Sequence, residues 1–299
     1  MRFGRWPAWV GAGLLLAALC GCASSASAPK GYFGETLPID QVIAGINRNN
    51  DQLPSLWARH EFEATVVDPQ SHKSHFVNGF GTLLYRRPDS LRLVAKKELT
   101  DLFDTGCDGK NFWFRLVPEQ DTFWWGTFAN LGNSGEKAIP VRPDAILEVL
   151  GIRPINPDLT AEPVPVLRFN NDADAYMLVW QSRLGDHWVA QKEIWYDRAT
   201  LHPMLVLLFD VDGRVVVRAW LSNYQAVPVS DEPRDQWPMT ALHYRLFFPQ
   251  TGTKMSFTLS DVVISHNGFP KALSFRMPDP NQLSASGVKI VQVDENTGS

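Results

Sequence analysis

Between residues 202 and 265 the sequence twice writes one pattern: a run of strand-forming residues, a turn, and a second run. "HPMLVLLFDVDGRVVVRAWLSNY" bends at Asp212-Gly213, and "ALHYRLFFPQTGTKMSFTLSDVVIS" bends through Pro249 to Thr253. β-Branched and aromatic residues on both sides of a tight turn specify an antiparallel hairpin. Upstream segments alternate with period two. "HEFEATVV" sets His60, Phe62, Ala64 and Val66 against Glu61, Glu63 and Thr65. "SLRLVAK" puts Leu91, Leu93 and Ala95 on one side. "KNFWFRLV", after an Asp108-Gly109 turn, puts Phe112, Phe114 and Leu116 opposite Trp113 and Arg115, and "HWVAQKEIWYD" is a further strand. Such alternation buries one face of a sheet and leaves the other in water.

Two stretches carry the helical period instead. From about Pro38 to Asn49, Ile39, Val42, Ile43 and Ile46 make one apolar stripe, with Thr36 as cap and Pro38 in the first turn. Pro54 interrupts it, and a short second turn is expected at Leu56 and Trp57. In "RPDAILEVLGIRP", Ile146, Leu147 and Leu150 recur at helical spacing between Asp144 and Gly151. The order helix, strands, helix, strands predicts an α+β domain with helices on one face of a curved antiparallel sheet. Two modest helices have many strands to cover. The concave side is therefore either an open apolar site or a filled core. Leu91, Leu93, Phe112, Phe114, Leu116, Met255, Phe257 and Leu259 are expected to line it, with Arg92, Ser256 and Thr258 facing water.

The chain begins with a leader. Arg2 and Arg5 precede an apolar stretch from Val10 to Leu19, and the run from Trp6 to Cys22 is too short and too interrupted by Gly and Pro to span a bilayer. Leu19-Cys20-Gly21-Cys22 resembles the bacterial lipobox, with the small Gly21 directly before the lipidated cysteine. The resemblance implies cleavage before Cys22, diacylglycerol on its thiol and a fatty-acyl chain such as palmitate on the new amino terminus. Residues 1–21 are then a signal peptide, 22–34 a lipidated small-residue tether, 35–279 the folded domain and 280–299 a loosely ordered tail. Residue 23 is Ala rather than the Asp that commonly retains proteobacterial lipoproteins in the inner membrane. This points to a lipid-anchored protein of the cell envelope, at the outer membrane and facing the periplasm. Removing Arg2 and Arg5 takes the net charge from −4 to −6. That balance argues against nucleic acid as a partner and against electrostatic adhesion to anionic lipid, so the acyl chains would hold the protein on its membrane. With Cys22 lipidated, Cys107 has no disulfide partner.

The stretches "GFGTLLYRRPDSLRLVAK", "DTGCDGKNFWFRLVPEQDTFWWG", "AILEVLGIRP" and "EIWYDRATLHPMLVLLFDVDG" together resemble the LolA/LolB superfamily of bacterial lipoprotein carriers and receptors, over most of residues 38 to 278. The resemblance implies an unclosed antiparallel half-barrel with helices over its concave face, whose apolar cavity takes up acyl chains of lipoproteins during sorting. A lipobox points to the receptor-like side. "ELTDLF" lies where that family carries a protruding apolar loop. The mature chain is longer than is usual for the family, and no arginine matches the carrier's lid arginine. The other reading is a structural or interaction lipoprotein whose core is filled and whose surface meets another envelope protein.

Catalytic signatures are missing from the sequence, and no enzyme activity or cofactor is expected. There is no G-x-S-x-G, and "GNSGEK" at Gly132 to Lys137 lacks the Gly-Lys-Ser/Thr of a phosphate loop. His72 and His75 lack further ligands and read as a solvated loop rather than a zinc site. Asp210 and Asp212 belong to a hairpin turn and lack the remaining oxygens of a calcium loop. Cys107 reads as a small apolar side chain near a turn.

Overall fold

The structure, a computed structural model, describes residues 31–67, 73–117, 121–133, 143–230 and 232–294. Cys22 and the tether to residue 30, His72, and Ser134 to Lys137 of the "GNSGEK" stretch lie outside the described residues.

Helix α1 (Ile39–Asn50) leads into six antiparallel strands, β1 (Ser55–Val67), β2 (Ser74–Arg86), β3 (Ser90–Lys97), β4 (Thr100–Asp108), β5 (Asn111–Leu116) and β6 (Thr122–Thr127). Helix α2 (Pro143–Val149) leads into seven more, β7 (Val164–Asn170), β8 (Ala175–Leu184), β9 (His187–Asp197), β10 (Pro203–Phe209), β11 (Val215–Ala226), β12 (Met239–Phe248) and β13 (Thr253–Val263). A short helix α3 (Pro280–Ala285) and β14 (Lys289–Gln292) complete the described chain. The strands form one sheet in the order β14-β6-β5-β4-β3-β2-β1-β13-β12-β11-β10-β9-β8-β7. β1 pairs antiparallel with β13 and so splices the two halves, from Ala64 opposite Met255 to His60 opposite Leu259. β7 and β14 are free edges, so the sheet is an unclosed half-barrel.

The expected hairpins form because their turns supply the left-handed backbone that reversal needs: Gly109 has φ +86° and Gly213 φ +77°. At the first of these the Asp108 carboxylate accepts from the amides of Lys110 and Asn111. Local expectations fail in three places. Thr36 does not cap α1; Pro38 holds the N-cap position, and the free Leu37 amide donates to the Tyr176 hydroxyl at 2.7 Å. Leu56 and Trp57 belong to β1, not to a second turn, because Leu56 faces Tyr85 of β2 in register and is buried. His75 sits in β2, opposite Val66, rather than in a loop.

Helix α1 buries Val42, Ile43 and Ile46 on the sheet, as its stripe requires, and three asparagines fasten its last turn. Asn47 makes two bonds of 2.7 Å to the backbone of Ile155, Asn49 pairs with the backbone of Met239 at 2.7 and 3.0 Å, and Asn50 donates to the carbonyls of Gly151 and Arg153. Asparagine is a poor residue for a helix interior. Here each amide satisfies backbone groups that burial would otherwise leave orphaned. Helix α2 touches β3, β4, β5 and β10, bridging both halves of the sheet.

Residues 280–294, whose Ser/Gly/Asn content suggests loose attachment, are held. β14 adds parallel to β6, Asp294 accepts from the Thr127 amide and hydroxyl at 2.8 and 2.7 Å, and α3 is capped by Asp279. This segment covers the face of β5 and β6 that turns away from the helices. There Trp113, Phe123 and Val288 form a second small core with Trp125, Met277, Leu283 and Ile290.

Candidate binding face

The strand register places the eight expected lining residues on the helix-facing side of the sheet. Leu91, Cys107 and Phe112 stand opposite one another across β3, β4 and β5, and Leu93, Thr105 and Phe114 form the next rank. Leu116 faces Phe103. On the other side of the splice Met255 lies between Ala64 and Leu246, Phe257 between Phe62 and Tyr244, and Leu259 beside His60. Thr258 points to the opposite face and is exposed. Arg92 and Ser256 share that face but are half-buried, and Arg92 there pairs with Asp104 at 2.8 Å.

Burial along this face is graded. At the end covered by α1 and α2, Leu91, Phe112 and Leu259 are almost fully enclosed, in one cluster with Val42, Ile46, Ile146 and Leu147. Phe257 is 4 % exposed and stacks on Tyr244 with ring centroids 4.5 Å apart. At the opposite end, beneath the hairpin tips, Leu116 and Met255 are only half-buried, with Val77, Phe103, Trp124 and Phe248 beside them. The concave side is thus a filled core under the helices and is less deeply buried beyond them. At the tip of the β3–β4 hairpin Leu99, within "ELTDLF", is 99 % exposed, and Leu184, Trp188 and Val211 are exposed on the β8–β9 and β10–β11 hairpins at the same end.

A cluster of charged groups that sequence reasoning missed closes the filled end. Glu148, on α2, accepts from Lys192 of β9 at 2.6 Å and from Arg153 at 2.5 Å, and Arg153 reaches on to Asp89 at the β2–β3 turn at 2.5 Å. Burial alone would raise the Glu148 pKa, but the Lys192 ammonium and Arg153 guanidinium outweigh it and hold the carboxyl below its ordinary value. Lys192 also lies over the Trp180 ring at 4.7 Å. Nearby, burial pushes the Tyr85 hydroxyl up to about 12, and its oxygen has no hydrogen-bond partner. Burial also pushes the Cys107 thiol up to about 12, and its sulfur contacts the Asp89 carbonyl at 3.2 Å. That thiol is a packing group, not a nucleophile. The usable signal for the cluster was Glu148 itself, a carboxylate on the apolar stripe of a short helix between Leu147 and Val149. Among the described residues no group of three His, Cys, Asp or Glu side chains is placed to hold a metal ion.

Comparison with solved structures matches this architecture. A DUF1329 family protein from Desulfovibrio piger superposes with a TM-score of 0.52 at 12 % identity, over 83 % of this chain and 100 % of that one. The chain shares the fold of that protein, an unclosed antiparallel half-barrel. A LolA superfamily protein from Nitrosomonas europaea gives 0.49 at 12 % identity, over 81 % and 99 % of the two chains. A domain described as a candidate outer membrane lipoprotein-sorting protein, from Vibrio parahaemolyticus, gives 0.47 at 12 % identity over 83 % and 97 %. At such identities the likeness concerns fold alone. No protein-family model and no curated relative matches the chain.

Proposed function

We propose that this protein is a lipid-anchored, non-enzymatic component of the cell envelope that takes an acyl chain, free or carried by a lipidated protein, into the apolar mouth of its half-barrel. The reading belongs with lipoprotein sorting at the outer membrane, on its periplasmic side. What supports it is the gradient along the concave face: one apolar lining, enclosed under the helices and half-open at Leu116, Met255, Phe103 and Trp124. The exposed Leu99 beside that mouth fits a protein that meets hydrophobic partners there. The lipobox and Ala23 supply the anchor and the choice of membrane. A second reading, a structural or interaction lipoprotein, draws on the filled helix end and the close stacking of Phe257 on Tyr244.

A form beginning at Ser24, free of leader and anchor, separates the two. Burying a ~14-carbon chain contributes on the order of 10 kcal/mol gross at ~0.8 kcal/mol per methylene. Lost freedom and partial exposure reduce this to micromolar affinity. A hydrophobic fluorophore should bind and be displaced by palmitate. Met255→Asp, at the half-open end, should weaken displacement about tenfold while the protein melts at nearly the parent temperature. A folded parent with no displaceable binding would leave the scaffold reading.

A further inference from the structure

The face of the sheet turned away from the helices should be polar in an antiparallel sheet with one wet side. Over β8 to β11 it is not. Strand register places Met177, Trp195, Leu205 and Trp220 side by side, one per strand, in a single row across the sheet. The row ends in Arg168 on β7 and Arg245 on β12. One rank further along, Arg218, Phe247 and Lys254 stand next to one another on β11, β12 and β13. Arg218 and Arg245 flank the Trp220 ring, 5.9 and 5.7 Å from its centre. The surface continues into an open trough of about 450 Å³ between Trp220 and Phe76.

Two observations say what covers this row. The first is charge. Arg168, Arg218, Arg245 and Lys254 form no ion pair among the described residues, in a chain whose net charge is −4. Of the carboxylates on this surface, Glu193 accepts from the Trp195 indole, Glu63 lies at the far side of the trough and Glu61 stands on β1 opposite Thr258. The second is the other half of the same sheet. There the outward Trp113, Phe123 and Trp125 are covered by the chain's own later segment, which carries Met277, Leu283, Val288 and Ile290 on and around a short helix and strand. A polypeptide already solves this problem once in the molecule. From Arg168 to Arg245 is five strand spacings, about 24 Å, the length of a helix of about 16 residues. Trp and Arg are also the residues that most often carry binding energy in protein interfaces.

We infer that the outward face of β8 to β12 is the docking surface for an acidic amphipathic segment of another envelope protein. Its apolar stripe covers Met177, Trp195, Leu205 and Trp220, and its carboxylates pair with Arg168, Arg218, Arg245 and Lys254. The trough at its edge is also lined by Met255 of the acyl-chain mouth, but the row from Met177 to Trp220 lies on the opposite face, so either assignment can fail without the other.

The test uses the full-length protein in its native envelope, with benzoylphenylalanine replacing Trp220 as a photocrosslinker and replacing Glu61, on the same face of β1, as control. An adduct with one other protein is expected from position 220 and not from position 61, and mass spectrometry of the crosslinked peptide should find Asp or Glu within one helical turn of the attachment. Arg218→Glu with Arg245→Glu should lower the yield at least tenfold. Reversing the partner's acidic residues to Lys should restore it in that background. Both arginines are exposed, so the fold should persist. If the reversed variant melts early, Arg218→Gln with Arg245→Gln decides, with an expected loss of two- to fivefold. No adduct, an adduct with lipid or with a second copy of this chain, or a yield indifferent to these charges would overturn the inference.

Discussion

Replacing Glu148 with Gln keeps the size of the side chain and removes the one anion that Lys192 and Arg153 share. Side-chain exposure is 19 % for Glu148, 22 % for Lys192 and 35 % for Arg153, so the cluster is neither fully buried nor a surface pair. Breaking a buried pair from one side costs about 3–5 kcal/mol, and an exposed pair is worth about 0–1 kcal/mol. Partial screening at Arg153 places Glu148→Gln near 2 kcal/mol. For a domain of this size that lowers the melting temperature by about 6 °C. The pH dependence follows from the sign of the shift. The Glu148 carboxyl is held below its ordinary value of 4.5, so its contribution is present above that pH and is lost as pH falls through the lowered value. Melting curves from tryptophan fluorescence should therefore show the full gap at pH 7 and a closing gap on acidification below 4.5. Because Glu148 ties α2 to β9, the variant should also take up more of a hydrophobic fluorophore at pH 7. A melting temperature within 1 °C of the parent, or a gap of equal size at both pH values, would refute the account of this cluster as the latch of the helix end.

His60 is 1 % exposed, with Nε2 at 2.9 Å from the Val94 carbonyl and Nδ1 without a partner. Burial lowers its pKa from 6.5, so the neutral ring stabilises the fold above that pH and the benefit is lost as pH falls below it. His60→Leu should flatten the stability profile below about pH 6.5; an unchanged slope in urea titrations would exclude His60 as its source. For the anchor, a clickable palmitate analogue fed to cells should label the parent and the Cys20→Ala variant and leave Cys22→Ser unlabelled. Equal labelling of all three would remove the lipobox reading.

The strands were legible because a sheet residue's direction depends only on its parity, and a hydrophobic alternation of period two records that parity directly. "HWVAQKEIWYD" is β9 from first residue to last. The ends of elements were less legible, since they depend on groups remote in sequence. Pro38 displaced Thr36 at the helix start because Tyr176, on a strand of the other half, supplies the acceptor for the Leu37 amide. The tail was read as loose from composition, yet four apolar side chains between Met277 and Ile290 suffice to hold it once Trp113 and Phe123 offer a surface. Asp89, Lys192 and the Glu148–Arg153 pair could not be joined from the sequence, because they lie on three separate segments that meet only in the fold.

The two faces of the sheet differ in how the sequence records them. A strand with one wet face alternates, as "HEFEATVV" does; a strand covered on both faces reads as a continuous apolar run. "FWF" in β5 and "FWW" in β6 are such runs, and in the fold both faces are indeed covered, one by the main core and one by the C-terminal segment. "YMLVW" in β8 and "MLVLLF" in β10 are runs of the same kind, and their inward residues Leu178, Val206 and Leu208 account for only one parity. In the outward parity Val179 is buried among its neighbours and Met177, Leu205 and Leu207 are half-buried, although both runs carry the pattern of a strand covered on both faces. Apolar side chains in both parities are costly to leave in water, at about 25 cal/mol per Å². The same rule that assigns the tail to β5 and β6 therefore supports the proposed partner for β8 through β11, and the arginines at both ends of the row, which form no ion pair among the described residues, set the sign of its charge.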